Sequence, residues 1–184
     1  MDSKTRVIFL SVDGVLNSRP YYAKSLNDYI SNKKYANNKI EDISTYYLKN
    51  RAKIYHRYPD TKIILSSFYN CLFGGTIAIE YIKKRLSEYN MQIFDVTPDT
   101  DSEGKRFITY PQEIDEWLKI HPEVNYWVSL DSYNDEDAYK SANKHLWTHL
   151  CKCEVGNKND NIKDCGLNLV KTHIALEILG GKYE

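Results

Sequence analysis

Three apolar runs in this chain end on side chains able to do chemistry. VIFL (7–10) opens onto Ser11, Val12, Asp13 and Gly14; IIL (63–65) onto Ser66 and Ser67; WVSL (127–130) onto Asp131 and Ser132. Hydroxyls and carboxylates are the groups that hold phosphate oxygens or a hard cation. Taken singly, each has an ordinary structural reading. Asp-Gly makes a turn, a serine pair caps the next helix, and an aspartate at a strand end is a loop acid. Their meaning therefore depends on whether the three ends meet. Ser11 sets a further condition, because a serine hydroxyl attacks only beside a base or a metal. Asp13 is its one nearby acid, and a carboxylate is a weak base toward a hydroxyl.

A second cluster has ligand chemistry. HLWTHLCKC places His145 and His149 four residues apart, hence on one helix face, just before Cys151 and Cys153, with Cys165 further on. Imidazoles and thiolates are zinc ligands. The spacing fits no standard finger, so a helix end followed by reduced thiols is the simpler reading.

The elements that must position these groups alternate. Residues 6–11 read as a buried strand, and 20–39 as a polar, tyrosine-rich stretch without clear periodicity. A helix starts near Asp42 or Ser44, with Ile43, Tyr47, Ile54 and Tyr58 broadly on one side. KIILSS (62–67) is a second strand, and after Gly74-Gly75 the residues Ile79, Ile82, Leu86 and Tyr89 mark an amphipathic helix. QIFDVT (92–97) is a third strand, and PQEIDEWLKIHP a helix with Pro111 in its first turn and Ile114, Trp117 and Leu118 inward. YWVSLD (126–131) is a fourth strand, followed by helix-like sequence over about 137–150, a polar loop, an apolar run at 167–170 and a last helix near 173–179. Strands separated by helix-sized segments predict an α/β domain, a central parallel sheet with helices on both faces. Ligands bind outside the C-terminal ends of such strands, where all three polar tips fall.

Composition bounds the rest. The 184 residues suit a single domain spanning 1–184, with segments 19–40 and 133–165 as candidate caps or lids over the strand ends. At 42% hydrophobic and 27% charged the chain reads as an ordinary globular protein. Lys+Arg and Asp+Glu each total 25, so no global field draws it to nucleic acid or anionic lipid. No secretory leader pattern and no apolar run near membrane-spanning length is visible, which favours a cytoplasmic location without a membrane partner.

The motifs carry a family resemblance. FLSVDGVLNS resembles the first motif of the haloacid dehalogenase-like (HAD) superfamily, whose usual form is a strand followed by Asp-x-Asp-Gly, and IILSS resembles its second. EIDEWLKIHPEVNYWVSLD followed by NLVKT is similar to the HAD domain of Swiss Army Knife RNA repair proteins. The resemblance implies a HAD-like, Rossmannoid three-layer fold and a phosphatase site. It places Asp13 as general acid and base, Ser66 with Ser67 on the phosphoryl oxygens, and Asp131, with Asp13, at a Mg²⁺ site. Lys105 or Arg106 would be the basic residue on the phosphate, although the family's arginine is normally closer to the helix, where this chain has Tyr110 and Pro111. Ser11 stands where the nucleophilic aspartate belongs, and Ser132 where a second acid is common. These departures imply weak or absent Mg²⁺ binding and impaired catalysis. The expectation is a degenerate phosphatase domain binding a phosphorylated or nucleotide-like ligand or a protein partner. The alternative is a Mg²⁺-dependent phosphohydrolase, with nucleic-acid termini among its substrates by family analogy alone.

Overall fold

A computed structural model describes residues 5–18, 43–65, 76–99, 104, 109–132, 139–140, 144–157 and 159–181. Among them, five strands form one parallel sheet: β1 (Thr5–Leu10), β2 (Lys62–Leu65), β3 (Ile93–Val96), β4 (Val124–Asp131) and β5 (Leu150–Lys152), in the order β3-β2-β1-β4-β5. The helices are α1 (Thr45–Arg57), α2 (Thr76–Ser87), α3 (Tyr110–Lys119), α4 (Lys144–Thr148) and α5 (Leu169–Leu179).

Strand alternation divides the core into two layers. From β1, Ile8 and Leu10 point to one face, where they pack with Tyr47, Leu48 and Ile54 of α1, Ile82 and Leu86 of α2, and Ala175 and Ile178 of α5. Val7 and Phe9 point to the other, packing with Ile114 and Trp117 of α3, Trp127, Tyr139 and Leu146. Helices on both faces explain why β1 is apolar at every position from Val7 to Leu10: neither side of the strand meets water. This is the α/β three-layer architecture that the strand–helix alternation predicts.

Local signals fix several boundaries. Ser44 caps α1, its hydroxyl accepting from the Tyr46 N–H at 3.2 Å. Pro111 sits in the first turn of α3, where its missing N–H costs nothing, and the Gln112 side chain accepts from the Thr109 N–H at 3.1 Å. Two stretches differ from expectation. The helix-like pattern over 137–150 gives way to strand β5 at Leu150, so the 133–165 region carries an edge strand of the sheet as well as loops. The apolar run at 167–170 is largely the first turn of α5: Asn168 caps it, accepting from the Lys171 N–H at 3.0 Å, while Leu169 and Val170 are exposed. The candidate lid at 19–40 lies outside the described residues.

Candidate functional site

From β1 the chain steps to β2 and β3 on one side; β4 and β5 lie on the other. The crevice between β1 and β4 is therefore the topological switch point, the place where open α/β sheets take ligands. Ser11 and Asp13 leave β1 on one lip; Asp131 and Ser132 end β4 on the other. The Ser11 N–H donates to the Leu130 carbonyl at 3.0 Å, extending the β1–β4 ladder past the last strand residue and fixing Ser11 at the lip. Its side chain follows Val7 and Phe9 in the alternation, so it belongs to the α3 face.

Beyond Ser11 the backbone turns sharply. Gly14 has φ +70°, and a Cβ there would overlap Cβ and Oγ of Ser132, so the turn needs glycine both for its left-handed conformation and for the close approach of β4. Asn17 holds the turn from inside: its side-chain oxygen accepts from the Gly14 N–H at 2.6 Å, and its amide donates to Asp13 Oδ1 at 2.9 Å. Across the crevice the Ser132 hydroxyl donates to the Asp13 carbonyl at 2.6 Å. The two lips touch.

Asp131 is 4% exposed, and both of its carboxylate oxygens are engaged. Oδ1 accepts from the Ser132 N–H at 2.7 Å and Oδ2 from the Tyr139 hydroxyl at 3.0 Å. Tyr139 Oη also lies 2.9 Å from Ser129 Oγ. The phenol proton is committed to the carboxylate, so Ser129 must donate to Tyr139, giving a buried chain Ser129→Tyr139→Asp131. Burial and then the Asp131 charge push the Tyr139 phenol well above its ordinary range, which keeps it a donor.

Tyr110, at the start of α3, faces the same charges. Burial, Asp131 and Glu113 raise its phenol well above normal, and its hydroxyl is buried without a hydrogen-bond partner. Glu113 itself is buried and accepts from the Thr97 hydroxyl at 2.6 Å. The residue standing near the family's basic position is thus a neutral donor close to two carboxylates.

The structure therefore brings Ser11, Asp13, Asp131 and Ser132 to one edge of the sheet. Ser66, Ser67, Lys105 and Arg106 lie outside the described residues. Sequence reasoning missed Tyr139, Ser129 and Asn17. A tyrosine within a weakly helical stretch looks like core, and only the β4–β5 crossover carries it over Asp131.

The His/Cys cluster comes apart on folding. His149 stacks on Trp127 at 4.3 Å between ring centroids and its Nδ1 lies 2.9 Å from the His145 carbonyl, so the imidazoles belong to the α3 face. Cys151 and Cys153 are buried in the α1-face core, where the Cys151 thiol contacts the Lys171 carbonyl at 3.3 Å. The sheet stands between the two ligand types. Among the described residues no group of three or more His, Cys, Asp or Glu side chains is placed to hold a metal ion.

HAD folds generally use Mg²⁺. Mg²⁺ asks for octahedral oxygen ligation, usually through one or two carboxylates and several waters. Among the described residues the oxygens to hand are the Asp131 and Asp13 carboxylates and the Asp13 carbonyl, and Ser11 and Ser132 add no charge. Of these, the Asp13 carbonyl accepts from Ser132, and the Asp131 carboxylate from Ser132 and Tyr139.

A parallel three-layer sheet with its polar residues gathered at the β1–β4 switch point defines an α/β domain of the HAD, Rossmannoid type. More particularly, the family described as "HAD domain in Swiss Army Knife RNA repair proteins" matches residues 7–156, and the chain belongs to that family. Searches of curated proteins and of solved structures gave no match.

Proposed function

We propose that this phosphatase-type domain holds a phosphorylated or nucleotide-like ligand at the β1–β4 switch point with little or no turnover. One observation carries the reading: Ser11 occupies the tip of β1, tied to β4 through its backbone, where the covalent step of a HAD phosphatase requires an ionised nucleophile. Phosphoryl transfer needs an in-line nucleophile and neutralisation of the developing oxygen charge. A neutral hydroxyl supplies neither. The nearby acid in sequence, Asp13, is a weak base toward a hydroxyl, and its Oδ1 accepts from the Asn17 amide.

What remains suits binding. Ser11 Oγ and the Tyr110 hydroxyl are neutral donors, while the Asp131 carboxylate already accepts from Ser132 and Tyr139. We place the domain in the cytoplasm; no helix among the described residues is long and apolar enough to cross a membrane. RNA repair in the family's description makes a nucleoside monophosphate the natural second probe after inorganic phosphate.

The test pairs binding with turnover. Titration of inorganic phosphate and of a nucleoside monophosphate should give saturable binding, while hydrolysis of a generic phosphomonoester stays at background with or without Mg²⁺. Ser11→Asp alone should leave turnover near background, because Ser132 still holds the Asp13 carbonyl and, among the described residues, the neutral Tyr110 stands near the family's basic position. Robust Mg²⁺-dependent hydrolysis by the unaltered chain, abolished by Ser11→Ala, would replace this reading with that of a hydrolase using a serine nucleophile.

A further inference from the structure

We infer that Ser132 and Tyr139 are positioning residues that do with hydrogen bonds what a bound cation does in a metal-dependent site: they tie the β1 turn to the end of β4 and hold Asp131 in place. The inference deepens the reading above, since it makes the ligand edge of the same site independent of metal.

The geometry is specific. The oxygens that face each other across the switch point are the Asp13 carbonyl on the β1 side and the Asp131 carboxylate on the β4 side. Here the Asp13 carbonyl is bridged to β4 by the Ser132 hydroxyl at 2.6 Å. The Asp131 carboxylate takes the Ser132 N–H on one oxygen at 2.7 Å and the Tyr139 hydroxyl on the other at 3.0 Å. One serine thus serves both lips, its side chain reaching across and its N–H turning back. The Asp131 carbonyl is committed too, accepting from the Cys153 N–H at 2.7 Å, so the end of β4 cannot swing away without breaking the sheet edge.

Glycine at position 14 is part of the device. Any side chain there would occupy the space of the Ser132 hydroxyl, so the closure depends on a bare backbone opposite Ser132. Two neutral donors from the protein hydrogen-bond the Asp131 carboxylate, one on each oxygen. A Mg²⁺ ion drawing on these atoms would share the carbonyl with Ser132 and the Asp131 carboxylate with two donors.

Thermal unfolding of the full chain in EDTA and in millimolar MgCl₂ tests this, with Mg²⁺ alone as the probe. The unaltered chain should melt at the same temperature in both. Ser132→Ala should melt about 2–4 °C lower in both, the shift expected for one lost hydrogen bond in a domain of this size. Ser132→Asp, which vacates the carbonyl and adds a second carboxylate, should be destabilised in EDTA and recover in Mg²⁺. Ser132→Asn, matched in shape without the charge, should stay low in both. A Mg²⁺-dependent melting temperature in the unaltered chain overturns the inference, and so do Asp and Asn variants that behave alike. Should neither variant fold, the Mg²⁺ titration of the unaltered chain decides alone. Failure of inorganic phosphate to bind in EDTA counts instead against the ligand-binding reading and leaves the serine closure standing.

Discussion

Two buried tyrosines near one carboxylate show how little residue type says about contribution. Tyr139 Oη has a donor behind it and an acceptor ahead; Tyr110 Oη has no hydrogen-bond partner. Removing a hydroxyl that bonds a charged group costs about 1.5–3 kcal/mol, whereas removing an unsatisfied one relieves a desolvation penalty. Tyr139→Phe should therefore lower stability by about 2 kcal/mol in urea unfolding, and Tyr110→Phe should be neutral or stabilising. Arg51 is the same argument with a charge. Its side chain is fully buried on α1, and Nε and both terminal nitrogens lack hydrogen-bond partners. Burial alone drags the guanidinium from 12.5 down to about 9. Arg51→Met, similar in length and free of charge, should raise stability by roughly 1–3 kcal/mol, seen as a higher denaturant midpoint at unchanged slope. At this scale the sequence was informative only where chemistry sits at a strand end. Ser11, Asp13, Asp131 and Ser132 were legible because each follows an apolar run. Tyr110 was noticed only as a replacement for a basic residue, and Tyr139 not at all, because their partners lie on other elements.

Elements were legible in proportion to their burial. The runs in β1, β2 and β4 are continuous because helices cover both of their faces, and their boundaries fall within two residues of expectation among the described positions. Strand β5 has only three residues, at the sheet edge beside a short helix, too few to show a period. Helix α5 begins earlier than its periodicity suggests because a polar cap, Asn168, starts it before its buried face begins. Docking of α1 is set by contacts that no period reveals. The Tyr47 hydroxyl meets Ser18 Oγ at 2.7 Å and the Ile162 carbonyl at 2.9 Å, and the Asn50 amide donates to the Leu167 carbonyl at 2.9 Å. Between those anchors Gly166, at φ +54°, lies against the Tyr47 ring, where a Cβ would overlap the ring carbons. Gly166→Ala combines left-handed strain of about 1–2 kcal/mol with displacement of Tyr47. Urea unfolding should show a loss of at least that size, and a loss under about 0.5 kcal/mol would mean that α1 is anchored elsewhere.

For the whole molecule, the buried ionisable groups set how stability responds to alkali. Tyr47, Tyr110 and Tyr139 all have phenols raised by burial, and the Cys153 thiol is raised as well, first by its hydrogen bond to Cys151 and then by burial. In the unfolded chain these groups lose protons at about pH 8.5–10, while the folded chain retains them. The unfolded state then binds fewer protons, so stability falls as pH rises through that window. Arg51 acts in the opposite sense: its folded value is below its unfolded one, so its penalty is complete below about pH 9 and is relieved above it. With the Cys165 thiol, also raised by burial, five groups oppose one. The melting temperature should therefore decline between about pH 9 and 11, and the decline should be steeper in the Arg51→Met variant, which lacks the compensating group.

The division of the core has one further consequence, for how the molecule can be watched. The chain has three tryptophans, Trp117, Trp127 and Trp147, and all of them lie in or against the α3-face core. The α1-face core has tyrosines but no tryptophan among its described residues. Indole fluorescence therefore reports one side of the sheet, whereas far-ultraviolet circular dichroism sums helices from both. The two signals are independent witnesses to a single event only if the sheet transmits unfolding from face to face. Coincident transitions would show that it does; an early fluorescence change would date the loss of the α3 layer, and with it Tyr139 and the closure it supports, before the rest of the molecule lets go.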